Sequence, residues 1–142
     1  MSRNLISSLA EIQKIFSHAA TLGFNTHCSA IKPVSIVDNK LVCTFTVNEE
    51  ICNSMQTLHG GYFALATDFV TSWDLFRRGC SNHVTVDIHM SYLNPGKPDS
   101  VIRVESEVHK LGRKMAFTSA NFYDDASNKL LVQGKHTKFI LE

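Results

Sequence analysis

The chain has 142 residues, 44% of them hydrophobic and 19% charged, enough to bury a core without metal or disulfide staples, so a single domain over 1–142 is expected. A formal net charge of +1 supplies no general field for nucleic acid or an anionic membrane, and no nucleic-acid partner is expected. The cysteines Cys28, Cys43, Cys52 and Cys80 show no C-x-x-C spacing, which favours a reducing compartment: the cytoplasm, with the mitochondrion as the alternative.

The N-terminal stretch from Met1 to Ala20 is amphipathic and acid-poor, as mitochondrial presequences are, with Glu11 its one acid. Its apolar residues Leu5, Leu9, Ile12, Phe16 and Ala19 recur at helical spacing, which suits a helix docked on the domain and stopped near Gly23. Val34–Val37 and Leu41–Val47 are β-rich runs about Asp38-Asn39-Lys40, turn residues that accept positive φ, so a hairpin is predicted. A loop through Glu49–Ser54 then leads to the longest apolar helical run, Thr57–Arg78. Asp68 and Asp74 interrupt that run, so it is no membrane span.

Beyond Gly79, Val84, Val86, Ile88, Met90 and Tyr92 alternate with polar residues, the pattern of a strand with one apolar face. Three further strands are predicted around Ile102–Val108, Lys114–Tyr123 and Leu130–Ile140, separated by turns at 94–98, 111–113 and 124–128. Read in order, these form a four-strand antiparallel meander curled around the long helix, an α+β arrangement. The helix, apolar nearly all round, then keeps surplus apolar surface that a second copy would cover.

Two features of that helix carry chemistry. Asp74 has Arg77 and Arg78 three and four residues on and reads as an ordinary helix ion pair. Asp68 has only Ala64, Leu65, Thr71 and Ser72 at those spacings, so it takes a partner from elsewhere, faces a solvated cleft, or has a raised pKa. Gly60 and Gly61 stand at the helix start, where N–H groups without intrahelical partners can receive an oxyanion. Gly60 and Asp68 are about 12 Å apart along one axis at about 1.5 Å per residue. That is too far for one small reacting centre, but antiparallel helices across a twofold axis would bring Asp68 of one chain to Gly60 of the other. Asp68 is therefore expected nearer its partner's Gly60 than its own.

Asn53, Leu58-His59-Gly60-Gly61 and Asp68 together resemble the N-x(n)-HGG-x(n)-D signature of hotdog-fold acyl-CoA thioesterases of the PaaI-like group. The blocks Val84–Asp87, Ser91–Pro95, Gly112–Ser119 and Gln133–Lys138 favour its animal branch, and the likeness covers nearly the whole chain. The resemblance implies a curved antiparallel sheet wrapped around a long central helix, with an N-terminal helix. It implies hydrolysis of fatty acyl-CoA, with Asp68 as general base or direct nucleophile, the Gly60 N–H polarising the thioester carbonyl, and Asn53 and His59 orienting substrate and helix entry. Thr85 falls where relatives carry a serine that positions water.

Coenzyme A, here part of the substrate rather than a cofactor, needs cations for its phosphates. Lys97, Lys110, Arg113, Lys114 and Lys138 read as a basic rim on the sheet turns. By resemblance Asp87, the segment Tyr92–Lys97 with Pro95 and Gly96, and the segment Lys110–Met115 with Gly112 line the coenzyme groove. A homodimer with shared active sites, assembled into a homotetramer, is likewise implied. No metal is expected: His83, Asp87 and His89 share a strand face by simple alternation, but such residues usually face solvent. Cys52 with His59 lacks a third orienting group for a thiol nucleophile. The alternative in another class is a hotdog module that binds acyl-CoA or a protein without turnover.

Overall fold

The computed structural model describes residues 3–141; the first two residues of the predicted N-terminal helix, and both ends of the predicted domain, lie outside the described residues. Helix α1 is Leu9–Ala19, entered through Ser8, whose Oγ accepts the Glu11 N–H. Leu5 precedes that cap and is exposed, whereas Ile12, Phe16 and Ala19 are buried. The helix ends before Gly23, which at φ +53 opens a 3-10 turn, Gly23–Cys28.

Strands β1 (Lys32–Val37) and β2 (Lys40–Thr46) form the predicted hairpin. Asp38 and Asn39 have φ of 49° and 61°, the left-handed pair that matches the twist of flanking strands. Helix α2 is Gly60–Arg77. Strands β3 (His83–Tyr92), β4 (Val101–Leu111), β5 (Met115–Asp124) and β6 (Lys129–Ile140) follow.

The sheet order is β1-β2-β4-β5-β6-β3, every pairing antiparallel. This corrects the predicted meander, since only β4, β5 and β6 are joined that way. β3 pairs with β6 at the far edge, and residues 93–100 carry the chain back across the start of α2, where the Leu58 N–H donates to the Gly96 carbonyl at 2.8 Å. Pro95 and Pro98 cannot donate to a ladder and Asp99 has φ 64°, so this connection cannot close a hairpin between β3 and β4.

One face of the sheet packs on α2. Phe63 meets Phe122 edge-on at 5.1 Å, and Phe69 meets Phe16 of α1 at 5.3 Å, so α1 covers part of the helix that the sheet does not. Close approach depends on Gly134, where a Cβ would lie 2.7 Å from Thr67 Oγ1.

Asp74 does pair with Arg77 and Arg78 as the helix spacing predicts, but the pair with Arg77 is buried. Asp74 and Arg77 are 0% and 1% exposed. Asp74 Oδ1 accepts from Arg77 Nε at 2.8 Å and Asp74 Oδ2 from Ser106 Oγ of β4 at 2.7 Å. Arg77 and Arg78 both donate to the Asn39 carbonyl in the β1–β2 turn. This network ties the helix end to the sheet.

Candidate active site

Asp68 occupies the middle of α2 with its side chain 45% exposed, and its partner comes from the other end of the chain. Lys138 Nζ on β6 lies 3.2 Å from Asp68 Oδ1, and Ser72 Oγ, one turn along α2, donates to the same oxygen at 3.2 Å. Both contacts fall on Oδ1 of a residue that also lines a cleft. The cleft has a volume of about 250 Å³ and is walled by Phe69, Trp73 and Phe76 and by the polar groups of Asn25, Ser72, Ser81, His83 and Lys138.

Thr85 reaches this centre through a β-bulge. Thr85 pairs with Lys138 and Asp87 with Thr137, so Val86 is unpaired and the side-chain alternation of β3 inverts there. His83 and Thr85 thereby share the helix side with Ile88, Met90 and Tyr92, while Asp87 and His89 lie on the opposite face. Simple alternation had put Thr85 with Asp87 and His89, and had put His83 with them too. The bulge overturns both.

The hydrogen bonds around Thr85 run in one direction. Thr71 Oγ1 donates to the Thr67 carbonyl at 2.7 Å, so its contact of 2.7 Å with His136 Nδ1 requires the proton on the imidazole. In the neutral ring His136 Nε2 is then an acceptor and receives a hydrogen bond from the Thr85 hydroxyl at 3.0 Å. Thr85 Oγ1 in turn accepts from Lys138 Nζ at 3.2 Å. Burial, with the Lys138 charge as a second cause, lowers the His136 pKa to about 4, consistent with a neutral ring. Burial also pulls Lys138 below its ordinary value, opposed by the Asp68 carboxylate. His83 is lowered by burial and then by Lys138.

The second half of the predicted constellation lies at the other end of the exposed helix face. His59 caps α2, its Nδ1 accepting the Gly61 N–H at 2.8 Å. The cap consumes the Gly61 donor and leaves that of Gly60. Tyr92 donates its hydroxyl to the Gly60 carbonyl at 2.6 Å, and a Cβ on Gly60 would come within 3.3 Å of the Tyr92 ring. Asn53 is committed to its own loop: Oδ1 accepts the Met55 and Thr57 N–H groups, and Nδ2 donates to Thr57 Oγ1 at 2.9 Å. Asn53, Leu58, Gly60, Phe63 and Tyr92–Pro95 line a groove of about 310 Å³.

The predicted coenzyme-binding residues separate into two groups. Tyr92, Pro95, Gly96 and Lys97 lie at the Gly60 end, with Gly96 buried against Leu58, where a Cβ would meet Leu58 Cβ at 2.9 Å. Lys110 lies at the end of β4, and Gly112, Arg113 and Lys114 form the turn to β5, closed by the Gly112 N–H on the Met115 carbonyl. Tyr92 is opposite Val132 and Met115 opposite Phe139, so along β6 the two groups are about 24 Å apart at about 3.4 Å per residue. One chain does not bring them together. Asp87 is exposed on the outer face of the sheet.

Lys138 is not part of a rim on the turns, as the sequence had suggested. It is 4% exposed within β6 and bound to Asp68, because its position alternates with the solvent-facing Lys135, Thr137 and Phe139 side. His136 and Ser72 join the site only through the tertiary structure. The signal was present for His136: Val132, Gly134, His136, Lys138 and Ile140 recur every second residue, one face of a strand whose ends are apolar.

Residues 55–130 match the Thioesterase superfamily. Acyl-coenzyme A thioesterase 13 of Homo sapiens is 34% identical over 139 residues, covering 96% of this chain and 97% of that protein. The crystal structure of zebra fish thioesterase superfamily member 2 is 32% identical and matches with a TM-score of 0.87 over 94% of this chain and 98% of that one. The PaaI protein of E. coli, at 17% identity, shares the fold with a TM-score of 0.75 over 92% and 94% of the two chains. With its antiparallel sheet folded about one long helix, and a relative of this identity along almost its whole length, the chain belongs to the thioesterase superfamily and has its hotdog fold.

Proposed function

We propose that this protein hydrolyses fatty acyl-CoA to free fatty acid and coenzyme A in sites shared by two copies of the chain. The observation that carries the reading is the setting of Asp68: a carboxylate on a half-buried helix face, held through Oδ1 by Lys138 and Ser72 and lining a cleft. A water between the carboxylate and the thioester carbon loses a proton to Asp68 as its oxygen attacks. The carbonyl oxygen takes the electron pair and is received by the Gly60 N–H at the start of the partner's helix. Collapse breaks the C–S bond, and the proton held by Asp68 passes to the coenzyme sulfur.

The likeness to acyl-coenzyme A thioesterase 13 supports the substrate class. The separation of the two basic segments supports the shared site. An antiparallel twofold contact along the β3 edge, whose Val84, Val86 and Tyr92 are exposed, would set Tyr92–Lys97 of one copy beside Lys110–Lys114 of the other. Two such dimers then form the homotetramer implied by the family resemblance.

The test is steady-state hydrolysis of a short and a long acyl-CoA by the parent and by Asp68→Asn, with binding measured in parallel. Loss of about 10²- to 10⁴-fold in kcat with the fold and binding retained is the expected result. Binding without hydrolysis by either protein would establish the non-catalytic acyl-CoA-binding module instead.

A further inference from the structure

We propose that Lys138 is a positioning residue of the hydrolytic site, fixing Asp68 and Thr85 relative to one another, and that it does not hold the coenzyme. This rests on the thioesterase reading above. An ammonium has three donors and no acceptor, and two of those donors are directed at Asp68 Oδ1 and Thr85 Oγ1, each at 3.2 Å. The two acceptors belong to different elements, α2 and β3, and Lys138 itself to a third, β6, so one cation sets the spacing among all three.

Its own place is determined by the ladder. Lys138 is directly opposite Thr85 across the β3–β6 pairing, immediately before the bulge at Val86, and it is 4% exposed. A lysine so far buried needs a partner, and Asp68 is that partner. The consequence for Thr85 is specific. Its hydroxyl donates to His136 Nε2 and one lone pair receives Lys138, so the remaining lone pair is an acceptor for a water hydrogen. A water activated by Asp68 would take that lone pair as its second acceptor. Without the cation, Asp68 keeps only Ser72 on Oδ1 and Thr85 keeps only His136, so nothing sets their mutual spacing and the Asp68 side chain, 45% exposed, can turn toward solvent. A phosphate-binding lysine has different requirements, namely an exposed ammonium not already paired with a carboxylate.

The experiment uses Lys138→Met, Lys138→Gln and Lys138→Arg in the full chain, with kcat, KM and inhibition by free coenzyme A measured for each. The Met and Gln variants are expected to lose about 10- to 100-fold in kcat, since a misplacement of about 1 Å costs about that much. KM and coenzyme A inhibition should stay within about twofold, and Lys138→Arg, which keeps the charge, should recover part of kcat. Gln keeps hydrogen-bonding capacity and carries the test if Met does not fold. A kcat at or above the parent's, or a raised KM and weakened coenzyme A inhibition with kcat retained, overturns the proposal. Asp68→Asn is measured alongside. Full activity in that variant removes the underlying site, whereas an inactive Asp68→Asn beside fully active Lys138→Met and Lys138→Gln removes the role of Lys138 alone.

Discussion

A site divided between subunits can be tested by mixing two damaged proteins. Gly60 and Asp68 stand about 12 Å apart on one rigid helix, by its rise of about 1.5 Å per residue, so a single chain cannot present both to one carbonyl. Asp68→Asn removes the base. Gly60→Pro removes the N–H without breaking the helix: Gly60 is the first residue of α2, where proline is tolerated, and His59 is already extended at φ −63° and ψ 133°, as a residue before proline must be. The Tyr92 ring, 3.3 Å from a Cβ at that position, must give by a few tenths of an ångström. Each variant alone should fall by about 10²-fold or more. In a heterodimer formed from one of each, one site contains both lesions and the other neither. Random assortment makes about half of the dimers mixed, each with one intact site in two, so co-expressed protein should recover about a quarter of parental activity. Steady-state hydrolysis of one acyl-CoA after co-expression or co-refolding measures this. Activity no higher than the mean of the two separate variants would refute the shared site.

Three further outcomes follow from the packing and the buried charges. Gly134→Ala places a Cβ 2.7 Å from Thr67 Oγ1 and 3.0 Å from Thr67 Cγ2, and should cost about 1–3 kcal/mol in urea unfolding; adding Thr67→Ala should recover part of that, a non-additive pair. Asp74→Ala strands Arg77, 1% exposed, without its carboxylate and should destabilise by about 3–5 kcal/mol, whereas replacing both with apolar residues of similar size should cost less. The folded chain holds His136 neutral, with its pKa lowered from 6.5 to about 4, so the unfolded chain binds more protons between those values. Stability from this group is complete above pH 6.5 and is lost as pH falls toward 4; melting temperature against pH should be flatter over that window in His136→Asn, and an unchanged slope would contradict the assignment.

Local chemistry determined much of the architecture. The spacing of Ile12, Phe16 and Ala19 marked α1, and paired glycines before the longest apolar run marked the start of α2. Asp38-Asn39 specified the β1–β2 turn because the requirement for positive φ is met by the residues themselves. The family signature of Asn53, His59, Gly60 and Asp68 was equally legible. What the sequence did not determine was everything that depends on which strand lies next to which. Periodicity reports that one face of a segment is buried, not what buries it, and loop-closure entropy changes so slowly with length that distance along the chain selects no partner. Hence β3 was set beside β4 when it pairs with β6, and the bulge at Val86, a property of that pairing, turned Thr85 toward the helix. The two acids of α2 show the same limit. Asp74 looked neutralised and ordinary because Arg77 and Arg78 are near in sequence, yet it is the buried one. Asp68 looked unpaired, and tertiary structure supplies Lys138 from 70 residues away, because only folding the sheet around the helix sets β6 beside the middle of α2.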